Sequence, residues 1–375
     1  MALIPTRYGT LHTIGQDADL IEGVLRRCGE WGWLETCFVA SVLPDKARVL
    51  DGGAFLGTFG LGLAMLRPLT ALLAVEANPA VLPCLMMNLR LARCPATAIG
   101  AMLAAPGSEA RHGAAPAGNT SAASFMWGAV GDPVATPSHA VILAGLRTVN
   151  GPYDLIKLDL EGMEFEVLRA DAANLSSGES ALWIECNEDM RALDICALLL
   201  SWGLPVHYFA APAHNPGNHA GNPVPAVPWA YEAGLLAAPR RPPELLPELR
   251  RAGCILQRIE TVDDLTEALW RTPRWGMPDW PVDDPAALAA LAGRTLRCQA
   301  RDTFLQSAAP LGSRENEQMW QRMVAAEARA TQAEALLATL GAAVPAPAPS
   351  APAPAPAPSA ASNPDPHRMP DHVPR

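Results

Sequence analysis

Lys157-Leu-Asp159-Leu-Glu161 places three charges at alternate positions of an otherwise apolar run, Asp154 to Gly162. A strand turns successive side chains to opposite faces, so this spacing gathers all three on one side at the strand's carboxyl end, where open α/β sheets hold their ligands. The chain has two lysines, Lys46 and Lys157, among 28 basic residues, so a lysine here answers a specific need. Two readings stay open. The trio acts on a substrate, or it is a buried ion pair whose members satisfy one another, because isolated buried charges are costly.

A second set lies upstream. Asp51-Gly52-Gly53-Ala54-Phe55-Leu56-Gly57 closes one apolar run and opens a helical one, and Glu76-Ala-Asn78-Pro79 closes the next. Glycines let a backbone approach a ligand closely, and a helix N-terminus offers free N–H donors to an anionic group. A carboxylate at the end of the second strand accepts bonds from both ribose hydroxyls, so the set describes a nucleoside-containing cofactor held by Asp51, Gly53, Ala54, Gly57, Glu76 and Asn78. The alternative is a plain tight turn that uses glycine. The dinucleotide fingerprint wants G-x-G-x-x-G, whereas this turn carries an acid before its first glycine. A carboxylate there repels a pyrophosphate and suits the cationic amino group and sulfonium of S-adenosyl-L-methionine.

The elements that must position these residues are short apolar runs alternating with helix-length segments, the pattern of a sheet covered on both faces. Strands are expected at 48–52, 70–77, 96–103, 154–161, 181–187, 205–212 and 232–238, which makes a seven-stranded doubly wound α/β domain over 48–239. Residues 1–47, with the Trp31-Gly-Trp33 cluster, are expected to form a helical cap. Residues 240–311 show helical runs without an alternating strand and are expected to be a helical appendage. Met319, Met323, Ala326, Ala330, Ala333, Leu337 and Leu340 make a heptad seam, so 312–341 is either an amphipathic helix on its own domain or an oligomerising coil that gives a homo-oligomer. Residues 342–375 are expected to be a disordered Pro/Ala-rich tail, with 11 prolines in the last 31 residues.

These residues together carry a resemblance. Asp51-Gly-Gly-Ala-x-x-Gly57, Glu76-x-Asn78-Pro79, Asn88, Lys157-x-Asp159-x-Glu161-Gly162 with Glu164, Val167 and Leu168, and then Glu185 resemble the FkbM family of S-adenosylmethionine-dependent methyltransferases. The match covers about half the chain, roughly 45–240. It implies a class I methyltransferase, Rossmann-like fold and O-methylation of a hydroxyl on a sugar or glycosylated metabolite, so the partner is a small-molecule or glycan hydroxyl acceptor. Phe55 stands where the family more often has a polar residue, and 104–125 is Ala/Gly-rich where it keeps a compact polar turn, which Asn119-Thr120-Ser121 stands for at most.

Methyl transfer is an in-line displacement, so the main work is to hold donor, methyl and acceptor aligned and dry. Asp159 is the first choice for base or orienting acceptor, Glu161 the second, and Lys157 the partner that keeps Asp159 ionised. His207 and His214 are further candidates, and the 214–218 loop with Trp229 and Tyr231 is a candidate acceptor wall. Asp159, Glu185 and Asn187 offer hard oxygens of the kind Mg²⁺ takes, but strand order alone does not make a site, and no metal is expected.

Composition narrows the classes. Half the residues are hydrophobic, ample for a core, and the formal charge of −10 argues against a nucleic-acid backbone binder. Eight cysteines without a C-x-x-C pair fit reduced thiols in a cytoplasmic protein, and no apolar stretch is long enough for a membrane span. Two rival functions share these features: a nicotinamide-dependent oxidoreductase on the same fold, and a non-catalytic adaptor working through the C-terminal helix.

Overall fold

The computed structural model describes residues 1–15, 19–107, 111–112, 136–137, 139–187, 190–224 and 231–272. The chain divides into two units at Asn316/Glu317, and all described residues belong to the first. The expected helix or coil at 312–341, the tail, Asn119 to Ser121 and Trp229 lie outside the described residues.

The chain opens with a hairpin, β1 (Ala2–Thr6) and β2 (Gly9–Thr13), followed by α1 (Leu20–Cys28) and α2 (Trp33–Val42). The α/β part then runs β3 (Ala47–Gly52), α3 (Thr58–Leu66), β4 (Leu69–Glu76), α4 (Leu82–Asn88) and β5 (Ala96–Gly100). Four two-residue strands follow: β6 (Met102–Leu103), β7 (Arg111–His112), β8 (Thr136–Pro137) and β9 (Ala140–Val141). After α5 (Leu143–Asn150) come β10 (Leu155–Leu158), α6 (Glu164–Ala170), α7 (Ala172–Leu175), β11 (Ala181–Glu185), α8 (Met190–Ser201), β12 (Val206–Pro212) and β13 (Tyr231–Ala237). The described part ends with α9 (Pro247–Arg251), β14 (Ile255–Ile259) and α10 (Val262–Arg271).

The central sheet has eight strands in the order β14-β12-β13-β11-β10-β3-β4-β5. Strands β5, β4, β3, β10 and β11 are parallel, while β13 pairs antiparallel with both β11 and β12. The Rossmann-like doubly wound arrangement is therefore present, and the order reverses between β3 and β10. At such a switch point the two flanking loops diverge and leave a crevice at the carboxyl ends of the strands. Asp51 and Lys157 face each other across it in register.

Three expectations are corrected. The first 47 residues contain a β-hairpin besides two helices; Pro5 in β1 is compatible with a two-stranded edge but made the run read as irregular. Ile255–Ile259 is an eighth strand at the sheet edge, missed because Gln257 and Arg258 break its apolar pattern. The run beginning at Asp154 is strand only to Leu158, so Asp159 and Glu161 lie beyond it and Glu161, with φ 54°, does not continue its alternation.

Two apolar layers enclose the sheet. Helices α5, α6, α8 and α10 bury Leu146, Val167, Leu199 and Leu265 on one face, and α2 and α3 bury Phe38, Val39, Phe59 and Leu63 on the other. On the second face Phe38 of α2 stacks on Phe209 of β12, with ring centroids 4.0 Å apart and planes 1° apart, and both flank Trp183 of β11. Burying one such ring is worth roughly 1.5–3 kcal/mol, so this triad clamps α2 to the sheet. The hairpin joins through a third layer, in which Ile4, Leu11 and Leu25 meet Leu56 and Val81. Polar links fix its register: Asn88 accepts the His12 N–H at 2.7 Å and donates to the carbonyls of His12 and Leu56.

The Trp183 indole lies against Gly234 so closely that a Cβ there would overlap the ring. Gly234→Ala is therefore expected to lower unfolding free energy by about 1–3 kcal/mol, measured by urea titration.

Candidate active site

The sequence sets meet at the crevice between β3 and β10. Lys157 is 5% exposed, and its ammonium lies 3.1 Å from Asp159, 3.4 Å from Asp51 and 3.0 Å from the Gly53 carbonyl, to which it donates. Burial pulls this ammonium down, but the carboxylates of Asp159, Asp51 and Glu35 outweigh it and hold Lys157 above the usual lysine range. Asp51 is wholly buried. Its Oδ2 accepts the Gly60 N–H of α3 at 3.2 Å, and Lys157 opposes the upward push of burial on its carboxyl. Asp51 thus sits beneath the glycine turn and shapes it from below, while Asp159, 36% exposed at its side chain, is the member of the pair that faces outward.

The turn itself is close-packed. Gly53 has φ 71°, and a Cβ on it would collide with the Asp159 carbonyl oxygen, so the two loops at the switch point approach as closely as they do only because residue 53 has no side chain. Gly53 and Ala54 donate to the Val75 carbonyl at 2.9 and 3.1 Å. Gly57, φ 85°, stands at the N-cap of the nine-residue α3 with no side-chain cap, and the first-turn Gly60 N–H is taken by Asp51. Glu76 closes β4, and its carboxylate accepts the Phe55 N–H at 2.8 Å and the Asn78 N–H at 2.7 Å. Burial raises the Glu76 carboxyl and these two bonds oppose the rise. Asn78 turns its side-chain oxygen to the Ala80 N–H.

Beyond Leu158 the chain folds around Glu164. This buried carboxylate accepts the Leu160 N–H at 2.5 Å and the Gly162 N–H at 3.1 Å, which ends the strand and sets the exit angle of Asp159. Glu161 occupies the tip of that turn and is not brought to Lys157 by strand alternation. His207 is the second residue of β12, at the opposite end of the strand from the crevice, and is not part of this site. Glu185 ends β11 opposite Gly234. Among the described residues no group of three His, Cys, Asp or Glu side chains is placed to hold a metal ion.

One residue was missed by sequence reading. Glu35, in the first turn of α2, accepts the Trp183 indole N–H at 2.5 Å. Burial pushes its carboxyl up to about 7; Lys157 and the indole bond pull it down, and Asp159 and Glu232 add to the rise. It lines a cleft with Trp31, Trp33, Pro212, Asn215 and Glu232. The available signal was a single carboxylate inside the apolar run Trp33 to Val42. The candidate 214–218 loop forms one wall of this cleft, and Glu30 pins it: that buried carboxylate accepts from Asn215 Nδ2 at 2.6 Å, His219 N at 2.9 Å and Arg7 Nε at 2.6 Å.

No protein-family model and no curated protein sequence matches the chain. Among solved structures it is similar to the methyltransferase FkbM from Methylobacillus flagellatus KT, at 16% identity and TM-score 0.36, over 56% of this chain and 48% of that one. It thus spans about half the length of that protein. It is similar to precorrin-6y C5,15-methyltransferase from Geobacter metallireducens GS-15, at 15% identity and TM-score 0.31, over 54% of this chain and 86% of that one. It is also similar to Aeropyrum pernix fibrillarin in complex with natively bound S-adenosyl-L-methionine, at 13% identity and TM-score 0.32, over 55% and 76% of the two chains.

Two outcomes follow from the charges. Lys157→Met leaves Asp51 buried without its counter-charge and is expected to cost about 3–5 kcal/mol in urea unfolding, part of which returns when Asp51 is also made apolar. Glu35 has a folded value of about 7 against an ordinary 4.5, so the folded protein holds a proton that the unfolded chain has released. Its stabilising contribution is complete below the ordinary value and is lost as pH rises through 7. Relative to Glu35→Gln, the wild type is expected to lose melting temperature between pH 5 and pH 8, followed by calorimetry at each pH.

Proposed function

We propose that this protein is an S-adenosyl-L-methionine-dependent methyltransferase that methylates a hydroxyl of a small-molecule or glycan acceptor, a sugar or glycosylated metabolite. The observation that carries the reading is the crevice at the β3/β10 switch point, where Gly53 leaves room for backbone approach and the carboxylates of Asp51 and Asp159 flank one ammonium. The fit to a cationic cofactor lies in that balance. Asp51, Asp159 and Glu76 outnumber Lys157, so the local charge disfavours a pyrophosphate and favours a sulfonium and an ammonium. Each Glu76 oxygen accepts one backbone N–H and keeps a lone pair for a ribose hydroxyl. Gly53, Ala54, Gly57 and Asn78 complete the cradle for the nucleoside and amino-acid parts.

When bound, S-adenosylmethionine supplies an electrophilic methyl group. The residues of the chain do the rest. Asp159, held by the Lys157 ammonium at 3.1 Å, is a positioner: it accepts a hydrogen bond from the acceptor and fixes its angle of approach. Lys157 holds the β3 and β10 loops at constant spacing through the Gly53 carbonyl and Asp51. Glu161, at the tip of the turn, is given no part in proton transfer on this reading.

Isothermal titration with S-adenosylhomocysteine tests the cofactor. Binding by the wild type and a loss of about tenfold or more in Glu76→Ala are expected, the range of a lost charged hydrogen bond; equal affinity of the two proteins would sink the assignment. The acceptor class is tested by supplying methyl-labelled S-adenosylmethionine with fractionated glycans and small metabolites. Label in carbohydrate fractions, stable to mild base, supports O-methylation, and label confined to protein or nucleic acid excludes it.

A further inference from the structure

The cleft beside Glu35 adjoins the cofactor crevice without belonging to it. Its floor is the carboxyl end of β12, its walls are the α1–α2 connection and the 213–218 loop, and Glu35 joins it to the crevice through the fields of Lys157 and Asp159. Most polar groups around it are already engaged. Glu30 is consumed by Arg7, Asn215 and His219, and Asn218 by Asn215 and Asn222. Arg7 stacks over the Trp33 ring at 4.5 Å and steadies that wall. Glu35 differs. Its Oε1 takes the Trp183 indole N–H, whereas Oε2 looks toward Gly32, where a Cβ would stand 3.3 Å from it. The absence of a side chain at position 32 leaves that oxygen open to the cleft.

We propose that Glu35 is the catalytic residue that takes the proton of the acceptor hydroxyl, at Oε2, and that the Trp31/Glu35/Glu232 cleft is where the acceptor lies. This rests on the methyltransferase reading and deepens it. A base must meet three conditions: it reaches the acceptor, it is held in one orientation, and it binds a proton appreciably at neutral pH. Position on the cleft meets the first, the indole bond the second, and burial beside Asp159 and Glu232 the third, against the opposing pull of Lys157. Asp159 is engaged by the Lys157 ammonium at 3.1 Å and does not line this cleft. In the step, the acceptor O–H bond breaks and its proton goes to Glu35. The oxygen's electron pair forms the bond to the methyl carbon while the carbon–sulfur pair stays on sulfur, leaving the methyl ether, S-adenosylhomocysteine and neutral Glu35. The cleft lining also selects. It carries Glu30, Glu35 and Glu232 and no Lys, Arg or His, so a neutral acceptor enters more readily than a phosphorylated or carboxylated one.

The test compares the wild type, Glu35→Gln and Glu35→Asp as full chains. Gln keeps the shape and still accepts the indole N–H. Carbon-13 NMR of the labelled glutamate carboxyls should show one resonance titrating near pH 7 that is missing in Glu35→Gln. Calorimetry should give the three proteins the same affinity for S-adenosylhomocysteine within about twofold. With methyl-labelled S-adenosylmethionine and the extract fraction that the wild type labels, Glu35→Gln should turn over at least about 100-fold more slowly, with Glu35→Asp between, and the wild-type rate should rise through a limb near pH 7 that the Gln variant lacks. Full turnover by Glu35→Gln, or a carboxyl that titrates in the ordinary range, overturns the Glu35 assignment alone. Failure of the wild type to bind S-adenosylhomocysteine overturns the methyltransferase reading beneath it.

Discussion

A single ammonium organises the centre of this protein. Lys157 sits at the point where the sheet reverses its order, with a carboxylate from each adjoining strand-end and a backbone carbonyl from the glycine turn as partners. Its burial would be prohibitive without them, and theirs without it. The consequence is geometric as much as energetic. β3 and β10 must stay in register, the turn after β3 must pass under the Asp159 carbonyl, and residue 53 must be glycine for that passage to exist. What remains at the surface is a crevice with a fixed width and a net negative lining.

A second constraint reaches the crevice from the other end of the chain. The indole of Trp183 ties β11 to Glu35 of α2, a link between residues 148 positions apart. The same ring is held by Phe38, Phe209 and the notch at Gly234. A carboxyl in this place is held in one orientation because the ring that bonds it is itself locked by packed aromatics. Its proton affinity is raised by burial first, and its neighbours then set the balance. The cleft wall opposite is rigid for a different reason, since the 213–218 loop hangs on the fully engaged carboxylate of Glu30. Two separately braced surfaces thus converge beside the strand ends.

The strands that carry the site were legible because a buried parallel strand is a dense apolar run, and 48–52, 70–77 and 181–187 are mostly apolar with an acid near the carboxyl end. The strands at the margins were not. β14 carries the adjacent polar residues Gln257 and Arg258 within its five residues, and β1 carries a proline, so neither has the density of apolar residues that marks the centre. The end of β10 was misjudged for a subtler reason: Asp159-Leu-Glu161 keeps the alternation of a strand, but Glu164, three residues on, captures two main-chain N–H groups and turns the chain away.

The local chemistry of the crevice was contained in the order of residue types: an acid before a glycine turn, an acid closing the next strand, and a lysine inside a strand surrounded by apolar residues. These are short-range facts, set by which dihedrals glycine alone tolerates and which charges a buried strand cannot carry without a reason. Tertiary structure decided which of those charges stays available. Asp51 is sealed beneath the turn, Asp159 faces out, Glu161 turns aside, and Glu35 arrives from a helix that no spacing rule connects to the others. Proton affinity depends on burial and on neighbours within a few ångströms, and such neighbours are chosen by the packing of the whole sheet rather than by sequence distance.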